Sequence, residues 1–193
     1  MYAYHGFWKS PAGIDELTGE VTFPKLDVYG VSLRGSVVGG IGNLEVGYYN
    51  SLDDPQGNNF AIRNSQARFL VGYEKELIKG LNLGVQYYLE QRQDHEAYQR
   101  TSPENRGMEG ETRHLVSLRL TQLLKRRDLK LSFFAFYSPS DEDAYLRPEI
   151  RYQINDILTI EAGGNWFLGG NERSYLGQLR KNSNIYFGFR YSF

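Results

Sequence analysis

From about residue 26 to the C-terminus, apolar and polar residues alternate along the chain. In Leu146-Arg147-Pro148-Glu149-Ile150-Arg151-Tyr152-Gln153-Ile154 every even position is apolar and every odd one is charged or polar. Successive side chains of a β-strand point to opposite faces, so this order makes one greasy face and one charged face. A helix, with its period of about 3.6 residues, would mix the two classes on each face. The same alternation marks Leu81, Leu83, Val85, Tyr87 and Leu89 against Asn82, Gly84, Gln86, Tyr88 and Glu90. It returns in Ile185, Phe187, Phe189, Tyr191 and Phe193 against Tyr186, Gly188, Arg190 and Ser192.

Read this way, the chain predicts ten strands, over residues 1–9, 26–37, 43–51, 60–74, 81–93, 111–123, 129–138, 144–154, 158–168 and 184–193. The connections after the even strands are short, around Gly39-Gly40, Lys75 to Gly80, Lys125 to Asp128 and Asn155-Asp156. Those after the odd strands are longer and polar, apart from the brief Pro139 to Asp143. Short turns at one end of the strands and long loops at the other are the pattern of outer-membrane barrels. A soluble antiparallel sandwich also alternates, but it must hide one apolar face of every strand in a single core. The expected fold is therefore all-β, an antiparallel up-and-down transmembrane β-barrel of about ten strands, forming one domain over residues 1–193.

Composition fits that expectation. The 193 residues include 15 Tyr, 11 Phe, 2 Trp and 21 Gly, yet mean hydropathy is only -0.53. Many aromatics with low overall hydropathy suit a barrel with aromatic girdles and a polar interior. The net charge of -1 comes without a basic block, so nucleic acid is not an expected partner. Without Cys there is no disulfide framework and no thiolate metal site. No run of about 18 apolar residues exists to form a transmembrane helix. Met1 leads into Tyr2-Ala3-Tyr4 without a basic start or an apolar stretch, which predicts either a mature exported chain or a piece carrying a start Met.

The chain ends Gly188-Phe189-Arg190-Tyr191-Ser192-Phe193. This resembles the C-terminal assembly signal of bacterial outer-membrane proteins, carried here by Gly188, Tyr191 and Phe193. The resemblance implies that the barrel-assembly machinery reads this strand during insertion. The stretches Asn64-Ser65-Gln66-Ala67-Arg68-Phe69-Leu70-Val71-Gly72-Tyr73-Glu74 and Gly84-Val85-Gln86-Tyr87-Tyr88-Leu89-Glu90 are similar to the second half of larger porin-like barrels of proteobacteria. That likeness leaves two alternatives open: a complete small barrel, or the C-terminal part of a longer one. It implies a bacterial outer-membrane location, with lipid and lipopolysaccharide around the chain and small polar solutes passing through it.

Strand phase assigns the polar face to a lumen. It holds Arg34, Glu45, Arg68, Glu90, Arg92, Arg113, Arg119, Lys130, Arg147, Glu149, Arg151, Glu161 and Arg190, nine basic residues against four acidic ones. A basic lumen would concentrate anions. In a narrow barrel the same Arg and Glu residues would instead pair across strands and fill the interior. The outward phase puts Tyr48, Tyr73, Tyr87, Tyr137, Tyr152, Trp166 and Tyr191 near strand ends, where headgroup girdles lie.

Enzymatic chemistry has little to stand on. His95 sits in Asp94-His95-Glu96, with Asp53-Asp54 expected at the same rim, a distant similarity to the Asp and His arrangement of ten-stranded omptin-type proteases. No second motif of that family accompanies it. There is no Gly-x-Ser-x-Gly, phosphate loop or metal-ligand spacing, and no cofactor is expected. The reading that follows is a passive channel for small hydrophilic solutes, with a non-conducting structural or adhesive barrel as its first rival and a rim hydrolase as its second.

Overall fold

The computed structural model describes residues 1–101, 110–170 and 174–193. In chain order the elements are β1 (Tyr2–Phe7), β2 (Gly13–Ile14), β3 (Val21–Thr22), β4 (Lys25–Val37), β5 (Gly40–Ser51), β6 (Gln66–Ile78), β7 (Leu81–Arg92), α1 (His95–Thr101), β8 (Thr112–Leu124), β9 (Leu129–Ser138), β10 (Asp143–Gln153), β11 (Leu158–Gly169) and β12 (Asn184–Tyr191). Ten of these strands form one antiparallel sheet in the order β1-β4-β5-β6-β7-β8-β9-β10-β11-β12, while β2 and β3 pair with each other. Every neighbour in the large sheet is thus also its neighbour in sequence, once the small hairpin is set aside. The described pairing starts at β1 and stops at β12 without joining them.

Local chemistry explains the short turns. Val38 and Gly39, with φ of 46° and 73°, join β4 to β5 through two residues in the left-handed region. A two-residue hairpin turn with both φ values positive matches the right-handed twist of its strands. Gly80, at φ 80°, closes β6 onto β7, and its N–H donates to the Glu76 carboxylate at 2.7 Å.

Three expectations about boundaries change. The strand expected over 60–74 is Gln66–Ile78. Residues before Gln66 are drawn into local bonds: the Asp54 carboxylate accepts the N–H groups of Asn58 and Asn59, and Asn59 Oδ1 accepts the Ala61 N–H. Asx side chains compete with a strand ladder in this way. The turn expected at Gly39-Gly40 lies one residue earlier, because Gly40 opens β5. The connection expected as a long polar loop from Ser10 to Lys25 contains β2 and β3, and the one after β7 opens with α1.

By internal contact the chain divides into two compact units, residues 1–33, 43–70 and 88–113 in the first and 34–42, 71–87 and 114–193 in the second. The first is centred on buried Trp8, Leu26 and Val28, with Ala12 and Tyr49 packed against them. Two of its long connections, after β1 and after β5, are tied together, since Ile14 N–H donates to Ala61 O and Arg63 N–H to Ala12 O, both at 2.8 Å.

In the second unit the registers of β8 to β12 define two faces. One carries Leu118, Leu120, Leu131, Phe133, Leu146, Ile150, Ile160, Phe187 and Phe189. This face is open to the surroundings: on β12, Ile185, Phe187, Phe189 and Tyr191 are 80%, 73%, 65% and 60% exposed. The opposite face carries the charged residues. Gly163 is required there by close approach, because a Cβ would stand 2.6 Å from the Tyr186 hydroxyl and 2.7 Å from Pro148 O.

Candidate functional site

The charged face of the sheet is the candidate site, and its residues fall into one group in each unit. In the second unit, Arg151 on β10 lies directly opposite Glu161 on β11 and donates to the same carboxylate oxygen through Nη2 at 2.9 Å and Nε at 3.0 Å. Arg151 also lies 3.6 Å from Glu149, which Arg147 approaches at 3.6 Å and to which the Tyr186 hydroxyl donates at 3.2 Å. Lys130 is the register partner of Arg151 across β9 and β10. Like charges placed opposite each other repel, and Arg151 is directed to the two glutamates instead. Arg34 is 3.9 Å from Glu74, an acid on this face that strand phase had not included. Arg119 and Arg190 stand on the same face, opposite Phe134 and Thr159. Among the described residues, Arg119, Lys130 and Arg190 make no ion pair.

The charged face of this unit also bears aromatics. Tyr145 and Phe167 stack with centroids 4.7 Å apart, and Phe134 lies 6.1 Å from Tyr145 and 6.5 Å from Phe136. The signal was visible in Ser132-Phe133-Phe134-Ala135-Phe136-Tyr137, where aromatics occupy both phases of the strand. Of the residues expected in girdles, Tyr48, Tyr137, Trp166 and Tyr191 are exposed on the apolar face. Tyr87 instead turns its hydroxyl to His114 Nδ1 at 2.7 Å, and Tyr73 donates to Val38 O at 3.0 Å.

The first unit gathers the remaining basic residues. Arg68 on β6 lies 3.3 Å from Glu90 on β7, and its Nη2 donates to Gln66 Oε1 at 2.6 Å. Its guanidinium carbon sits 3.9 Å from the Tyr49 ring centre and 5.8 Å from that of Trp8. Tyr88, two residues along β7, donates its hydroxyl to the same Glu90 carboxylate at 2.8 Å. Arg92, almost wholly buried, stacks on Tyr98 of α1 with its guanidinium carbon 4.7 Å from the ring centre. Glu45 is exposed on β5, two residues from Gly47, over which the Tyr2 hydroxyl lies.

Sequence phase missed Arg63, because the strand expected over 60–74 put it on the side opposite Arg68, whereas it lies ahead of β6, which opens at Gln66. It lies between β5 and β6 with its guanidinium carbon 5.4 Å from the Trp8 ring centre. Burial lowers its pKa first of all; Glu90 opposes that, while Arg68 and Arg113 lower it further. A guanidinium remains charged at neutral pH regardless.

After β7, the geometry for hydrolysis does not assemble around His95. Its Nε2 pairs with Gln99 at 2.9 Å and its ring stacks on Tyr98. Asp53 and Asp54 spend their carboxylates on the N–H groups of Lys25, Asn58 and Asn59. A cleft of about 480 Å³ opens beside His95, lined by Arg92, Gln93, Asp94, Glu96, Arg100 and Glu111 among others. No group of three or more His, Asp or Glu residues placed to hold a metal occurs among the described residues. Likewise, no helix among them is long and apolar enough to cross a membrane, which says nothing about crossing by strands.

Neither a family model, nor a curated protein, nor a solved structure matches this chain.

Proposed function

We propose that the chain is an outer-membrane β-barrel, whole or in part, through which small hydrophilic solutes pass passively. The observation that carries this reading is the separation of faces. On β12 the apolar row Ile185, Phe187, Phe189 and Tyr191 is exposed, while Tyr186, Gly188 and Arg190 alternate with it. A water-facing sheet would leave such a row at a cost of about 25 cal/mol per Å² of apolar surface. Lipid removes that cost. The opposite face, with its ion pairs, then lines the polar interior.

This reading supplies the remaining parts. The antiparallel order leaves β1 and β12 as strands to be closed against one another or against further strands, because no sheet edge is tolerated in hydrocarbon. The terminal Gly188, Tyr191 and Phe193 serve the barrel-assembly machinery. Lipopolysaccharide and lipid cover the apolar face in the bacterial outer membrane.

A second reading, a filled and non-conducting barrel, is favoured by one specific feature. The Arg151–Glu161–Glu149 network and the Tyr145–Phe167 stack occupy the same charged face, and together they take up space a solute would use. Planar-bilayer recording of the refolded chain separates the two. Steady conductance steps support passage. Silence from a chain that shows heat-modifiable migration on a gel supports the filled barrel and overturns passage.

A further inference from the structure

We infer that Arg63, Arg68 and Trp8 form a binding site for a small oxyanion, a carboxylate or inorganic phosphate, on the charged face of the first unit. Two guanidinium carbons lie within 6 Å of a single indole ring, at 5.4 Å for Arg63 and 5.8 Å for Arg68. Between them they carry one more positive charge than the facing carboxylate balances. Glu90 is the carboxylate that faces them, and it is already engaged by Arg68 at 3.3 Å and by the Tyr88 hydroxyl at 2.8 Å. Arg63 makes no ion pair among the described residues. Half-buried positive charge without a counter-charge is costly, and a bound anion relieves it.

A second observation points to the same ligand independently. Trp8 is only 5% exposed, and its indole N–H is buried without a hydrogen-bond partner. Buried indole donors normally find an acceptor. An oxyanion seated against Arg63 supplies one, because its several oxygens can accept from the guanidinium fork and from the indole together. Burial and the neighbouring arginines both act against the Arg63 charge, and a bound anion would act in its favour. The loop carrying Arg63 is held to the chain by its N–H bond to Ala12 O at 2.8 Å, so the guanidinium is presented from a fixed backbone.

As a solute preference this inference rests on the passage reading; as a binding site it does not. The chain has two tryptophans, so replacing Trp166 by Phe leaves Trp8 as the sole tryptophan reporter, excited selectively over the tyrosines. The refolded W166F chain is titrated with sodium phosphate and, separately, sodium acetate, against sodium chloride at matched ionic strength. A saturable change with either oxyanion, weakened about tenfold or more by Arg63→Gln, is expected, as for loss of a charge-assisted hydrogen-bond fork. Which salt saturates at lower concentration tells phosphate from carboxylate. Arg63→Lys, which keeps the charge and loses the fork, serves as the second variant should R63Q not fold. No response beyond chloride in folded W166F, or a response unchanged by both Arg63 variants, overturns the site. Saturable binding with a silent bilayer leaves the site standing and overturns passage alone.

Discussion

Arg151 and Glu161 face each other across β10 and β11, and two nitrogens of the one guanidinium bond to a single oxygen of the other, at 2.9 and 3.0 Å. Their side chains are 38% and 30% exposed, so solvent screens the pair. Glu161→Gln should therefore cost about 1 kcal/mol or less, read from urea unfolding of the refolded chain. Arg151 retains Glu149 at 3.6 Å in that variant. A loss of several kcal/mol would mean that the network acts as one buried unit.

Two glycines on the same face should respond differently to a methyl group. At Gly163 the added Cβ meets Pro148 O, a backbone atom, at 2.7 Å. Gly163→Ala should cost about 1–3 kcal/mol, the usual range for overpacking. At Gly188 the Cβ meets Glu161 Cγ at 2.7 Å, a side chain that can rotate away. Gly188→Ala should cost less in unfolding experiments, and pairing it with Glu161→Ala should recover the difference.

The apolar face gives a direct test of lipid contact. Phe187, paired with Ala162 and 73% exposed, lies on that face. Phe187→Arg should reduce folding into lipid vesicles by about 2–4 kcal/mol if the residue lies near the bilayer midplane. Thr121→Arg, on the charged face opposite Ser132, should fold as the parent does. Heat-modifiable gel migration scores both. Equal folding of the two variants would speak against lipid on the Phe187 face.

Acid should loosen the turn after β2. The Asp15 carboxylate accepts the N–H groups of Leu17 and Thr18, each at 2.9 Å, and the bonds from Thr18 and Leu17 hold its pKa below the ordinary 3.8. A folded-state pKa below the unfolded one stabilises the turn above pH 3.8, and this is lost as pH falls through the folded value. Amide exchange at Leu17 and Thr18 should accelerate in that window. Asp15→Asn should remove the pH dependence.

His95→Ala should leave conductance and binding of phosphate unchanged, since His95 pairs with Gln99 and stacks on Tyr98 within α1. Bilayer recording of the variant checks this, and loss of a hydrolytic activity with intact folding would revive the rim-enzyme reading.

Much of the sheet was legible because strand alternation has a period of two and leaves little room for error. The segment 129–138 was read with the boundaries the structure has, and β10 and β12 to within a residue or two at each end. Where Asx side chains bind the backbone, as at Asp54 and Asn59, hydrophobic phase gave no warning that the strand starts at Gln66. The hairpin of β2 and β3 is two residues on each side, too short for any periodicity to show.

The sequence by itself determined which residues share a face, because alternation is a local property of each strand. It placed all thirteen charged residues from Arg34 to Arg190 on one side. Which of them pair was decided by tertiary structure alone: Arg151 to Glu161 depends on the register of β10 against β11, and Arg34 to Glu74 joins residues forty positions apart in sequence. Arg63 against Trp8 was hidden by a boundary: the strand expected over 60–74 opens only at Gln66, and a residue ahead of it has no phase. A two-residue change of register, which keeps each side chain on its face, or a different loop path would preserve the hydrophobic pattern while dismantling these contacts.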